Sequence, residues 1–166
     1  MRSRAWYVTG ALIAAVGWVG ATAYTAGAWD ELRDSTVTPV GQPFDGSGHD
    51  VAVLTDLPQP GREITCEAVG PGEERTSIPA DSVVDVTVSS DGTRWHLIAL
   101  MEDGREQMSV ECRPADERSD SAIYGYAVVD DLDARDRTGS MIAWGSLVAG
   151  IAVIGLTAWR RSRPQG

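Results

Sequence analysis

Residues 6–28 read WYVTGALIAAVGWVGATAYTAGA and contain no charged side chain. An α-helix needs about 20 apolar residues to cross the hydrocarbon core of a bilayer, so this stretch is long enough to span it. A second uncharged stretch, at residues 141–159, reads MIAWGSLVAGIAVIGLTAW. The two stretches therefore predict one transmembrane helix near each end of the chain.

Arginine flanks each apolar stretch on its outer side. Arg2 and Arg4 precede the first stretch, and Arg160, Arg161 and Arg163 follow the second. Because basic residues collect on the cytoplasmic flanks of spans, the pattern predicts a multi-pass protein of the plasma membrane with both termini in the cytoplasm. The predicted order is a tail at 1–5, a span at 6–28, an extracytoplasmic domain with linkers at 29–139, a span at 140–159 and a tail at 160–166.

The first apolar stretch also has features of a secretory signal peptide. Ala26-Gly27-Ala28 has the small-x-small pattern of a cleavage site, and the preceding arginines form a basic n-region. Against cleavage, the stretch is longer than the usual h-region of roughly 7–15 residues. Aromatic residues also lie near its edges, as in the interfacial belts of retained spans: Trp6, Tyr7, Tyr24 and Trp29. We favour a retained span; the alternative is a single-pass protein after signal-peptide cleavage.

Small residues recur on one helical face of each stretch at a spacing of 4, 3 and 4. They are Gly10, Ala14, Gly17 and Ala21 in the first stretch, and Gly139, Ala143, Ser146 and Gly150 at the second. In lipid, helices associate through close backbone approach, which small residues permit. We interpret these faces as a helix-packing site between two antiparallel spans. The alternative is that alanine- and glycine-rich spans produce the spacing through composition alone.

Short β-branched runs separated by turn residues fill the region between the two stretches. Strands are predicted at 50–54, 63–67, 84–88, 95–101, 108–112 and 122–129. Asp91-Gly92 and Asp103-Gly104 are hairpin signals, so residues 83–112 are predicted to form a three-stranded meander. The expected fold class is mostly β, a small antiparallel β-sandwich or partly open barrel flanked by two transmembrane α-helices.

Cys66 and Cys112 are the two cysteines of the chain, and each lies on a predicted strand. Outside the cytoplasm such a pair predicts a disulfide bond.

The segments 49–67 and 96–113 share an order of features, namely histidine, strand, acidic turn, Gly-Arg-Glu and a strand with cysteine. Similar hairpins arise easily in β domains, so we favour an independent origin; the alternative is an internal duplication.

The acidic residues are confined to the middle of the chain. All 24 lie between Asp30 and Asp136, whereas five of the 14 arginines lie in the end segments, which leaves nine in the middle. So acidic a region repels phosphate backbones, which argues against a nucleic-acid partner.

The run at 130–137 lacks the glycine and terminal glutamate of an EF-hand loop, so we interpret it as a solvated linker next to the membrane.

Catalytic motifs and metal-ligand spacing are absent from the sequence. His49 and His96 lie 16 or 17 residues from the nearest cysteine, which is too far for the close ligand pairs of a zinc site. Trp95, Tyr124 and Tyr126 are interpreted as core residues; the alternative is an exposed recognition patch. We therefore predict no metal, no cofactor and no enzymatic activity.

The layout of the chain resembles that of known proteins. Residues 104–112 form a glycine-led strand that ends in Val-x-Cys, and Trp159-Arg160-Arg161 closes the second apolar stretch. With a two-cysteine β domain between two spans, these features resemble a loose group of small, mostly uncharacterised actinobacterial membrane proteins. The resemblance implies no activity and no catalytic residue.

These observations lead to an expected function in the cell envelope. The expectation is an interaction module or accessory subunit whose partners are the lipid bilayer and another envelope or membrane protein. The alternative is an extracytoplasmic enzyme whose site no motif reveals.

Overall fold

The computed structural model describes residues 2–59, 61–80, 86–116 and 118–162. The chain divides into two compact units, one made of Met1–Gly27 with Ala134–Gly166 and the other of Ala28–Asp133. Helix accounts for 40% and strand for 30% of the structure. The prediction of a mostly β protein is therefore overstated, because the two end helices are 32 and 31 residues long.

In the residues that the structure describes, eight strands lie between the two helices. Helix α1 spans Arg2–Arg33 and helix α2 spans Leu132–Ser162. Strands β1 to β8 are, in chain order, Thr38–Pro39, Asp50–Thr55, Ile64–Val69, Arg75–Ile78, Thr87–Ser90, Thr93–Met101, Ser109–Pro114 and Tyr124–Val129. Both helices extend beyond the predicted spans toward the strands, so the boundaries at 28 and 140 fall inside helices.

Most predicted strands are present. The predicted strand at 84–88 begins at Val84 and Asp85, which lie outside the described residues, and β5 follows them. The sequence analysis missed β1 and β4. Strand β1 is two residues long and contains a proline, whereas β4 is polar and mostly exposed, so neither has the apolar alternation of a half-buried strand.

The strands form a curled antiparallel sheet in two parts. One part has five strands in the order β1-β8-β2-β6-β5, and the other has three in the order β4-β3-β7. Ala80, just after β4, forms an isolated antiparallel bridge with Ala99 of β6 and thereby connects the two parts. A second isolated bridge joins Phe44 to Met108, just before β7.

Only the first of the two predicted hairpin turns joins paired strands. The Asp91-Gly92 turn connects β5 to β6, and both of its residues have a positive φ, as a tight hairpin turn requires. Strand β7 pairs with β3 in the smaller part of the sheet, so the predicted three-stranded meander is wrong. Gly104 packs so closely that a Cβ there would lie 2.4 Å from the carbonyl oxygen of Gly46. Its amide donates a 2.8 Å hydrogen bond to the carbonyl of His49. These contacts direct the chain away from β6.

Strand β2 lies at the centre of the larger part and is buried on both faces. All six of its side chains are buried, so the strand has no solvated face. Ala52 and Leu54 pack into one hydrophobic cluster, whereas Val51 and Val53 pack into another. The first cluster includes residues from the ends of both helices, namely Ala28, Leu32 and Leu132. The second includes residues of the smaller part, among them Cys66, Ala68, Ile78 and Val110.

The acidic run at 130–137 is helical from Leu132, and its side chains at 130, 131, 136 and 137 are exposed. Leu132 is fully buried, and a carboxylate supplied by β2 satisfies an amide in the first turn of α2. Oδ2 of Asp50 accepts a 2.8 Å hydrogen bond from the amide of Asp133. The first amides of a helix have no intrahelical acceptor, and an aspartate carboxylate is a favourable one.

The pairing of strands relates the two similar sequence segments. Val53 pairs with Ala99 across β2 and β6, and Cys66 pairs with Cys112 across β3 and β7. Both pairs are 46 residues apart. Two copies of a strand–loop–strand unit related by a two-fold axis would pair in this way, with equivalent residues facing each other on the axis.

The disulfide bond between Cys66 and Cys112 is present, as predicted. It joins directly opposed residues of β3 and β7, and Cys66 lies in the second hydrophobic cluster. The bond therefore connects the two segments of the chain that build the smaller part of the sheet.

We expect replacement of both cysteines by alanine to lower the free energy of unfolding by about 4 kcal/mol, because the bond restricts a long loop in the unfolded chain. The measurement is the denaturation midpoint of the detergent-solubilised protein without reductant. The parent protein in reductant should resemble the variant. Equal midpoints for the variant and the oxidised parent would contradict the prediction.

Candidate functional site

Small residues of α1 and α2 lie against each other between the two helices. A Cβ built on Gly17 would lie 2.1 Å from the Cβ of Ser146. A Cβ built on Gly150 would lie 2.6 Å from the carbonyl oxygen of Gly10 and 3.0 Å from the Cβ of Ala14. Since higher numbers on α1 meet lower numbers on α2, the helices run antiparallel.

The contact continues toward the strand-bearing ends of the helices. A Cβ on Gly139 would lie 2.2 Å from Cγ2 of Thr25 and 3.4 Å from the carbonyl oxygen of Ala21. Ala143 lines a depression beside Ala21. The structure thus brings together the residues of the predicted packing site. Thr25 also contacts the partner helix, and a pattern of small residues could not have identified it.

Both helices are long and apolar enough to cross a membrane. Their outward apolar side chains are largely exposed; Val16 is 68% and Trp144 is 64% accessible. A helix in the core of a water-soluble protein buries such side chains. Exposure along two helices of this length fits contact with lipid, where hydrocarbon takes the place of a protein core.

A depression between the helices, which we name the tryptophan groove, is lined by Trp18, Thr22, Thr25, Asp136, Ser140 and Trp144, among others. The hydroxyls of Thr22 and Thr25 bond to carbonyls of their own helix. Among the described residues, none accepts a hydrogen bond from the indole of Trp18 or Trp144. The groove therefore has aromatic walls and two indole donors.

Arg62 is the centre of the most extensive polar network in the described part of the β domain. Its side chain is 18% exposed and donates hydrogen bonds of 2.6 and 2.9 Å to Oδ1 of Asp116. The same guanidinium donates to the backbone carbonyl of Arg118 at 2.8 Å and to the side chain of Gln59 at 2.7 Å. The network joins the loop after β2 to the loop before β8.

Asp120 and Tyr124 extend this network. The Tyr124 hydroxyl donates to Oδ2 of Asp120, and Gln59 donates to Oδ1 at 2.9 Å. The hydrogen bond from Tyr124, supported by other donors and by the charge of Arg62, lowers the pKa of Asp120. Burial, with the bond to Asp120, raises the pKa of Tyr124 well above its ordinary value. At neutral pH the pair is therefore one carboxylate and one phenol.

The histidines and cysteines are not gathered into a metal site. The two cysteines are joined in the disulfide bond, and His49 contacts the carboxylate of Asp130 through Nδ1. In the part of the chain that the structure describes, no three residues among His, Cys, Asp and Glu are placed to hold a metal ion.

The three predicted aromatic core residues occupy two kinds of environment. Trp95 and Tyr124 are buried, whereas Tyr126 is half-buried and stacks on Phe44 with a centroid distance of 3.7 Å and an interplanar angle of 11°. These aromatic side chains contribute to packing within the domain.

Sequence analysis did not identify Asp50 or the Arg62 network as structurally important. Asp50 and the Arg62 network join residues that are far apart in sequence. Asp50 and Asp133, for example, are 83 positions apart, and no local pattern marks such contacts. No family model, curated protein or solved structure matches this chain. Its function is therefore argued from geometry and charge.

We expect Tyr124→Phe to destabilise the protein by about 1–2 kcal/mol at neutral pH, because a carboxylate loses a hydrogen-bond donor. The folded-state pKa of Asp120 lies below its unfolded value of about 4, so the stabilisation is complete above that value and is lost as the pH falls through the folded pKa. The difference in melting temperature between parent and variant should therefore narrow below about pH 4. Tyr126→Phe is the matched control. A constant difference from pH 7 to pH 3 would contradict this assignment.

We expect Gly17→Leu to separate the two helices without impairing insertion, because leucine is at least as apolar as glycine. The measurement is oxidative crosslinking between cysteines placed at Ala21 and Ala143, which line the same depression and already carry a Cβ. Gly20→Leu is the control, since a Cβ at Gly20 meets nothing within 4 Å. Gly17→Leu should abolish the crosslink and Gly20→Leu should leave it intact. Equal crosslinking in the two variants, or none in the parent, would show that the small-residue faces do not meet.

Proposed function

We propose that this chain is an integral membrane protein that holds an acidic β domain outside the cell membrane, where it acts as an interaction module or accessory subunit. The observation that carries the proposal is the helix pair. Two long apolar helices run antiparallel, approach closely through small residues and expose their apolar side chains. Only lipid or another transmembrane segment can cover these exposed apolar side chains and keep them from water.

Retention of the first span is supported by the continuity of α1. The helix runs without interruption through Ala26-Gly27-Ala28 to Arg33. Ala28 and Leu32 are buried in the hydrophobic core of the β domain. Proteolytic sites concentrate in exposed, weakly structured segments, whereas this segment is helical and partly buried.

Two independent features support an outward-facing domain with cytoplasmic termini. Arginine lies on the terminal side of each apolar stretch, in keeping with the charge bias of cytoplasmic flanks. The disulfide bond belongs to the domain between the spans, and such bonds persist in oxidising compartments.

The tryptophan groove supports the role of an accessory subunit. Trp18 lies next to the midpoint of the uncharged stretch at 6–28, where no water is available to accept its indole N–H. A transmembrane helix of another protein would cover the groove and supply a carbonyl or hydroxyl acceptor. Interhelical hydrogen bonds of this kind are worth about 0.5–2 kcal/mol in membranes.

The proposal is tested with a protein that carries an epitope tag at each terminus. We expect a membrane-impermeant protease added to intact cells to cleave the β domain and leave both tags protected, because both termini lie inside. Loss of the N-terminal tag with the signal segment would support the single-pass alternative. Digestion of the C-terminal tag would exclude the two-span topology.

The same tagged protein, extracted in a mild detergent, should copurify with a stoichiometric membrane protein. Trp18→Phe keeps the aromatic ring but removes the N–H donor, so it should weaken this association. The control is Trp6→Phe, the same change near the N-terminal end of α1. An unaccompanied protein whose β domain turns over an envelope substrate would favour the enzyme alternative over the proposed function.

A further inference from the structure

A second cavity lies between α1 and α2 near the arginine-bearing ends of the helices. Its volume is about 340 Å³, and we name it the arginine pocket; it is lined by Trp6, Val153, Leu156, Thr157, Arg160 and Arg161. Val153 and Arg160 are seven residues apart on one helix, which separates them by about 10 Å along its axis. The pocket thus has an apolar section within the span and a cationic section about two turns nearer the end.

The cationic section is partly ordered by an aromatic side chain of α1. The guanidinium carbon of Arg161 lies 5.6 Å from the ring centroid of Tyr7. Cation–π contact at this distance favours one direction of a long, flexible side chain. Trp6, the neighbour of Tyr7, lines the same pocket, so both helices contribute to its shape.

We propose that the arginine pocket binds an anionic phospholipid, a proposal that rests on the membrane location proposed above. The phosphate would lie against the guanidinium groups of Arg160 and Arg161, and an acyl chain would pack along Val153 and Leu156. Planar guanidinium groups match the geometry of phosphate oxygens. Basic pockets between transmembrane helices on the cytoplasmic side are suited to acidic headgroups. The apolar section favours a lipid over a free phosphate, which would leave that section uncovered.

The test uses the full-length protein, delipidated in detergent and titrated with phosphatidylglycerol or phosphatidylcholine. Native mass spectrometry counts the lipid molecules that remain bound. We expect about one tightly held phosphatidylglycerol, with the double variant Arg160→Gln and Arg161→Gln weakening its binding roughly ten-fold or more through loss of charge-assisted hydrogen bonds. The control is Arg135→Gln with Arg137→Gln, which removes the same charge at the opposite end of α2 and should leave phosphatidylglycerol binding unchanged.

Three outcomes would overturn the lipid site. They are equal affinity for the two lipids, an equal loss of binding in the control pair, and competition by soluble glycerol phosphate as strong as that by the lipid. Alkaline carbonate extraction of membranes separates this proposal from the proposed function. Release of the parent chain into the soluble fraction would overturn both, whereas a retained chain with no preference for phosphatidylglycerol would overturn the lipid site alone.

Discussion

The burial of β2 on both of its faces is the constraint on which the rest of the β domain depends. A sheet with one solvated face needs a single apolar cover, whereas this strand needs two. The ends of both helices supply residues to the cluster on one face, through Ala28, Leu32 and Leu132. The three-stranded part of the sheet covers the other, where the disulfide bond joins β3 to β7. The helix ends are therefore part of the domain's core. The folded domain runs from Ala28 to Asp133, whereas the acidic residues of the sequence run from Asp30 to Asp136.

Charge is distributed in a way that complements this architecture. Within the domain, arginines are used in cross-strand ion pairs, as where Arg75 donates to Glu67 and Glu111 at 3.0 and 2.8 Å. Exposed pairs of this kind contribute little to stability and leave most of the acidic residues unneutralised. The helix pair has the opposite composition, since its arginines at 160 and 161 lie far from its one acidic residue. The two units therefore differ in surface chemistry, with an acidic surface on one and a cationic, apolar pocket on the other.

Close packing of the two helices also creates the surfaces on which the functional proposals rest. Glycine and alanine allow the backbones to approach along a narrow stripe, so the larger side chains on either side project outward. These larger side chains surround the tryptophan groove and the arginine pocket. The tryptophan groove offers aromatic surface and indole donors, and the arginine pocket offers guanidinium groups near the other end of the helix pair. A partner helix and a phospholipid match these two chemistries respectively.

Sequence alone determined the features that depend on local patterns or on chemical compartment. The two apolar helices follow from uninterrupted runs of uncharged residues, most strands follow from short β-branched runs, and the disulfide follows from two cysteines on strands of a domain predicted to lie outside the cytoplasm. Tertiary structure decided which strands pair and where the helices begin. The Asp103-Gly104 signal has the local form of a hairpin, yet the contact of Gly104 with Gly46 and the pairing of β3 with β7 give a different path. Likewise, Asp50 reads as the first residue of a strand, and its bond to the amide of Asp133 exists because folding brings β2 to the start of α2. Local periodicity reports which residues prefer burial, whereas the choice among distant partners depends on packing that only the folded chain provides.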